Sequence, residues 1–83
     1  MNLNEKLKKI IAEVALKEVN ESIINDDTVL TSDLGYDSVQ IIQLIVELES
    51  QFQIEIEDDD LDIDKLTIYR NLRDMIAAKI TNW

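Results

Sequence analysis

Residues 38–53 carry apolar side chains at a spacing that suits a helix and nothing else. Ile41, Leu44, Ile45, Leu48 and Phe52 recur at three- and four-residue steps, one stripe along a 3.6-residue helix. Val39, Ile42 and Val46 form a second stripe at i, i+3 and i+7, displaced round the wheel, and Gln40, Gln43 and Glu47 make the polar face. The combined apolar arc is much wider than the ~100° that a surface helix needs. Either the helix is central and covered on most sides, or part of the second stripe stays exposed as a docking surface. A domain of this size buries only about 60–65% of the surface its unfolded chain exposes. Its few other elements cannot surround one helix, which favours partial exposure.

The remaining segments are partners for that helix. Leu3, Leu7, Ile10, Ile11, Val14 and Val19 line one stripe of a first helix over Asn4–Val19, capped by Asn2 or Asn4, with Lys6, Lys8, Lys9, Glu13 and Lys17 elsewhere on the wheel. From Asn20 to Tyr36 the periodicity is lost, and Asn25-Asp26-Asp27-Thr28 reads as a turn. That loop is long for a small domain, and the chain has no proline to stiffen it. Packing of Ile23, Ile24, Val29, Leu30 and Leu34 must hold it instead.

After Phe52 the alternation in Gln53-Ile54-Glu55-Ile56 is too short for a sheet. Six of the eight residues from Glu57 to Asp64 are acids. Asp58, Asp60 and Asp62 are spaced like calcium ligands, but Ile63 stands where that loop needs glycine and Tyr69 where it needs glutamate, so no metal site is expected. A short third helix capped by Asp58, with Leu61 and Ile63 inward, suits the tract better. Thr67 is placed to cap a last helix, Ile68 to Ile80, in which Ile68, Leu72, Ile76 and Ile80 fall at four-residue steps. The position of Trp83 is left open. Together these readings predict one domain over residues 1–83, an all-α antiparallel four-helix bundle with a long first loop and a short third helix. Its expected core is Leu3, Leu7, Ile10, Ile11, Val14, Leu44, Leu48, Phe52, Leu72 and Ile76.

The chain has no cysteine and no histidine. That removes Ser–His and Cys–His nucleophilic catalysis, thiolate metal sites and disulfides. The net charge is −10, and no lysine or arginine lies between Glu18 and Asp64, where 15 of the 18 acids fall. Such a surface repels nucleic acid and anionic membrane; it either steers toward basic patches on protein partners or is only a solvated face. With no apolar run of membrane-spanning length and no signal-peptide core, a soluble cytoplasmic protein is expected; it is also expected to be a monomer.

The chemistry concentrates in Asp33-Leu34-Gly35-Tyr36-Asp37-Ser38-Val39. Gly35, the only glycine, stands where the chain must turn into a helix and φ > 0 is most useful. Asp37 suits the N-cap, and Gln40 three residues on completes a capping box. Ser38 then occupies the first helical position. An anion attached there would sit beside unpaired N–H groups and the positive end of the helix dipole, worth about 0.3–1 kcal/mol at an exposed site.

Asp33-Leu34-Gly35-x-Asp37-Ser38 followed by an apolar residue resembles the attachment motif of acyl carrier proteins. The resemblance extends over about residues 3–80 in length, acidity and apolar pattern. It implies a 4′-phosphopantetheine arm, taken from coenzyme A by a phosphopantetheinyl transferase and held by Ser38 with Asp37 setting its geometry. It implies a carrier rather than an enzyme, holding acyl intermediates as thioesters for loading and processing enzymes with basic docking patches, in fatty-acid, polyketide or related specialised biosynthesis. Val39, Ile42, Gln43, Val46 and Glu49 would flank the partner surface. Ile42, Val46, Leu61 and Ile68 would line a shelter for a short acyl chain.

Two departures bear on the pathway. Val39, Gln40, Gln43, Ser50 and Gln51 stand where fatty-acid carriers often have leucine or an acid, and Tyr36 follows Gly35 where peptidyl carriers have two adjacent glycines before the motif. An acyl load ranks first, ahead of a discrete aminoacyl or peptidyl carrier of a nonribosomal pathway. An unmodified acidic interaction module, with Ser38 only a cap, is the alternative from another class, and a hydrolase using Ser38 lacks a base.

Overall fold

The computed structural model describes residues 2–15, 18–57 and 61–80, and among them five α-helices, one 3-10 turn and no strand are found. Helix α1 (Leu3–Val14) begins at Asn2, whose Oδ1 accepts the Glu5 N–H at 2.8 Å. It buries Leu7, Ile10 and Ile11 and stops at Val14, not at Val19. At Ala15 the backbone has left helical geometry, with ψ at 137°. The Val14 carbonyl, which another turn of helix would have used, accepts the Gln40 side-chain amide, and the Ile11 carbonyl accepts the Tyr36 hydroxyl. Groups from a distant segment thus finish α1.

The segment expected as a long loop held by packing contains a 3-10 turn, Glu21–Ile23, and a short helix α2 (Leu30–Leu34). Asn20 Oδ1 caps the first by accepting the Ser22 N–H. Asn25 and Thr28 close the intervening turn by reciprocal bonds. Ile24, Leu30 and Leu34 are buried and Val29 is half-buried, whereas Ile23 is exposed rather than part of the core. An isolated antiparallel bridge joins Val29 to Ile68, with Leu30 N–H to the Thr67 carbonyl at 2.6 Å and Tyr69 N–H to the Thr28 carbonyl at 2.9 Å. Arg70 and Arg73 pair with Asp27 and Asp26 across the same contact. The Arg70 pair is exposed and adds little to stability.

Helix α3 (Ser38–Phe52) buries Ile41, Leu44, Ile45, Leu48 and Phe52, the stripe assigned to the core from spacing. Gln53, at φ 53°, ends it one residue earlier than expected. It runs antiparallel to α1. Its start meets Ile11 and Val14 at the end of α1, and near its own end the Gln51 carbonyl accepts Lys6 Nζ at 2.9 Å. Gln40, expected on the polar face, is buried.

The short helix α4 is Ile63–Leu66, opened at Asp62, and Asp58 lies outside the described residues. With this later start the inward position falls to Leu66; Ile63 is exposed and Leu61 half-buried. Thr67 belongs to the end of α4, not the start of the next helix. Its backbone is α-helical, its N–H bonds to the Ile63 carbonyl, and its hydroxyl donates to Asp64. Helix α5 (Tyr69–Ile80) therefore opens one residue later than expected and buries Tyr69, Leu72 and Ile76. The Tyr69 hydroxyl donates to Asn4 Oδ1 at 2.8 Å, so the starts of α5 and α1 meet. Burial pushes that phenol up to about 12, against the opposing pull of Arg73. Of the expected core, Leu3 and Val14 lie at the edge and the rest are buried. Trp83 is outside the described residues.

Candidate functional site

The turn before α3 is built from α2 outward. At Gly35 φ is 75° and ψ 19°, the left-handed region that costs a residue with a Cβ about 1–2 kcal/mol. The Gly35 and Tyr36 N–H groups both close on the Leu30 carbonyl, the second at 3.0 Å. Asp33, the first acid of the motif, accepts the Val29 N–H at 2.8 Å and so caps its own short helix.

Asp37 is the N-cap of α3, with extended backbone and its Oδ1 accepting the Gln40 N–H at 2.8 Å. Gln40 Oε1 accepts the Asp37 N–H at 3.3 Å, completing the capping box expected from the sequence. Ser38 follows at the first helical position, exposed, and among the described residues its hydroxyl has no partner. The first intrahelical bond runs from Ile41 N–H to the Asp37 carbonyl. With Gln40 N–H taken by Asp37, the N–H groups of Ser38 and Val39 are those left for an anion at this terminus.

The outer stripe of α3 begins beside Ser38. Val39, Ile42 and Val46 are 64%, 47% and 60% exposed, the outcome that helix width and chain size favoured. Gln43 lies exposed among them. Glu49 is half-buried, and its Oε2 accepts the Ile56 N–H at 3.2 Å, which ties it to the segment after the helix. Leu61 and Ile68, on either side of α4, are half-buried.

The inward contacts of two residues here are not foreseen from the sequence. Tyr36 is 3% exposed and its hydroxyl donates to the Ile11 carbonyl at 2.6 Å. Burial pushes this phenol far above its ordinary value of 10. Gln40, also 3% exposed, was read as half of a capping box but not as a contact to α1. An aromatic residue inside a tight turn was the available signal for the first. For the second there was none, because periodicity places Gln40 with the polar residues.

The site holds an accessible hydroxyl at a helix start. The Asp37 carboxylate beside it is committed to the cap. Among the described residues no cluster of three or more acids, histidines or cysteines could bind a metal ion. Such a hydroxyl is suited to receive a group delivered by another protein.

Comparison with known proteins gives the same direction. The phosphopantetheine attachment site family matches residues 5–78. Over 60 residues the chain is 42% identical to an acyl carrier protein of Desulforapulum autotrophicum, covering 72% of this chain and 77% of that one. Over 79 residues it is 37% identical to an acyl carrier protein of Buchnera aphidicola subsp. Baizongia pistaciae, covering 95% and 96% of the two chains.

Proposed function

The chain belongs to the acyl carrier protein family, whose members are carriers and not catalysts, and on that premise we propose that Ser38 takes its 4′-phosphopantetheine arm. The observation that carries this is position. The chain has four serines, Ser22, Ser32, Ser38 and Ser50, all exposed, so exposure does not choose among them. Ser22 lies in a three-residue 3-10 turn, Ser32 inside the short α2, and Ser50 inside the last turn of α3. Ser38 alone opens a long, capped helix, with uncommitted N–H groups beside its hydroxyl.

These residues suit a phosphodiester: the oxyanion would lie beside the Ser38 and Val39 N–H groups at the positive end of α3. The bound arm supplies a thiol that holds acyl groups as thioesters. The protein's own part is to hold the Ser38 oxygen in the open and to be recognised. Asp37 keeps the helix start closed. Val39, Ile42, Gln43 and Val46 form the surface on which the transferase and the acyl-loading and acyl-processing enzymes dock, with Glu49 at its far edge. The acidity of the span from Glu18 to Asp64 matches basic patches on those partners. Ile42 and Val46, with Leu61 and Ile68 bracketing α4, supply the apolar surface to shelter a short acyl chain. Both relatives are named acyl carrier proteins, which supports an acyl load within fatty-acid, polyketide or related specialised biosynthesis over an aminoacyl one.

Intact mass before and after incubation with coenzyme A and a broad-specificity phosphopantetheinyl transferase tests the proposal. Gain of one arm is expected for the parent and none for a folded Ser38→Ala. A parent that is folded and gains nothing across several transferases would remove the proposal. Val46→Ala should raise KM for the transferase several-fold while leaving stability within about 0.5 kcal/mol, as for surface positions generally.

A further inference from the structure

Tyr36 and Gln40 stand two residues before and two residues after Ser38, and both are driven into the body of the domain. The Tyr36 hydroxyl donates to the Ile11 carbonyl at 2.6 Å. The Gln40 carboxamide is used at both ends, its Oε1 accepting Asp37 N–H at 3.3 Å and its Nε2 donating to the Val14 carbonyl at 3.4 Å. Ile11 and Val14 belong to the last turn of α1. Burying a phenol and an amide is unfavourable unless each finds a partner, and among the described residues no buried side-chain nitrogen or oxygen lacks one.

Neither contact to α1 is needed to start α3. Gly35 makes the turn, and the Asp37 carboxylate with the Gln40 backbone closes the first turn of helix locally. What the two side chains add is the place of that start relative to another helix. Both acceptors are carbonyls, so both pegs must be donors. A phenylalanine at 36 and a carboxylate at 40 keep the shape and lose the bond.

We infer that Tyr36 and Gln40 are positioning residues that clamp the Ser38 turn to the end of α1, so that a transferase docked on α3 meets the hydroxyl in register. The inference rests on Ser38 being the modified residue. A clamp of this kind acts on the reacting geometry and not on docking: misplacement of a reacting atom by about 1 Å can slow a reaction up to a hundredfold. Its loss should therefore appear in kcat and spare KM.

The test is the transferase kcat and KM for the parent, Tyr36→Phe, Gln40→Glu and Val46→Ala as protein substrates, at a temperature where circular dichroism shows each folded. The clamp variants are expected to lose about tenfold or more in kcat with KM within about twofold of the parent. Val46→Ala should show the opposite split, a raised KM at parental kcat. Tyr36→Phe folded and modified at parental kcat overturns the clamp while Ser38 still carries the arm; if Gln40→Glu does not fold, Tyr36→Phe decides alone. Modification of Ser38→Ala in the same assay would instead remove the Ser38 assignment, and the clamp with it.

Discussion

At its amino end helix α3 meets α1 through two neutral donors, the Tyr36 hydroxyl and the Gln40 amide, both buried. At its carboxyl end the polar contact is a charge, Lys6 Nζ on the Gln51 carbonyl, lying 4.9 Å over the Phe52 ring. The chain takes a left-handed residue at both places, glycine at 35 and glutamine at 53. The end that carries Ser38 therefore has the conformationally free residue and the salt-insensitive bonds. The other end accepts a strained backbone and an exposed-side ion, and relies on the burial of one aromatic ring. Directed bonds are concentrated at the end that carries the Ser38 hydroxyl, and apolar burial marks the end where the helix stops.

The largest effect should come from the carboxyl end. Phe52→Ala is expected to cost about 3–5 kcal/mol in denaturant unfolding. A loss under about 1 kcal/mol would mean that Lys6, not the ring, holds that end.

At the amino end Tyr36→Phe should cost about 1–2 kcal/mol, since the Ile11 carbonyl keeps the Ala15 N–H. The same residue sets an alkaline limit. Tyr36 and Tyr69 both have folded-state values raised by burial, so the native state holds their protons longer than the unfolded chain does. Their contribution is whole below the ordinary tyrosine value of 10 and is lost as pH rises through the folded values. Unfolding midpoints should be unaffected by these groups near neutrality and fall above pH 10, and less steeply in Tyr36→Phe.

The two left-handed residues should answer in opposite directions. Gly35→Ala is expected to cost about 1–2 kcal/mol, and Gln53→Gly to stabilise by up to about 1 kcal/mol. Equal signs would break the comparison. Smallest is Lys6→Met, which keeps the apolar stem and removes the charge. A loss of about 0.3–1 kcal/mol at low ionic strength should shrink in high salt, whereas the Tyr36→Phe loss should not.

Much of this was legible in the chain itself. The buried stripe Ile41, Leu44, Ile45, Leu48 and Phe52, the capped start at Asp37, the turn at Gly35 and the exposed second stripe all follow from spacing and local hydrogen-bond chemistry, and the structure has each of them. Most of the misplacements share one cause. Helix α1 ends at Val14, whose carbonyl takes the Gln40 amide in place of a further turn, and Gln40 turns inward for that bond, beside the Tyr36 hydroxyl on the Ile11 carbonyl. Thr67 joins α4, while the bridge between Val29 and Ile68 holds the junction to α5. Such contacts join residues 25 or more positions apart, and no window of local periodicity contains both partners. Ile63 was misdirected for a simpler reason, since the later start of α4 rotated its wheel.

The assignment of the arm to Ser38 is tested most directly by fragmenting the modified protein in a mass spectrometer and reading which of Ser22, Ser32, Ser38 and Ser50 bears the added group. The arm should be found on Ser38 alone. Its appearance on any of the other three would contradict the account, because none of them opens a capped helix.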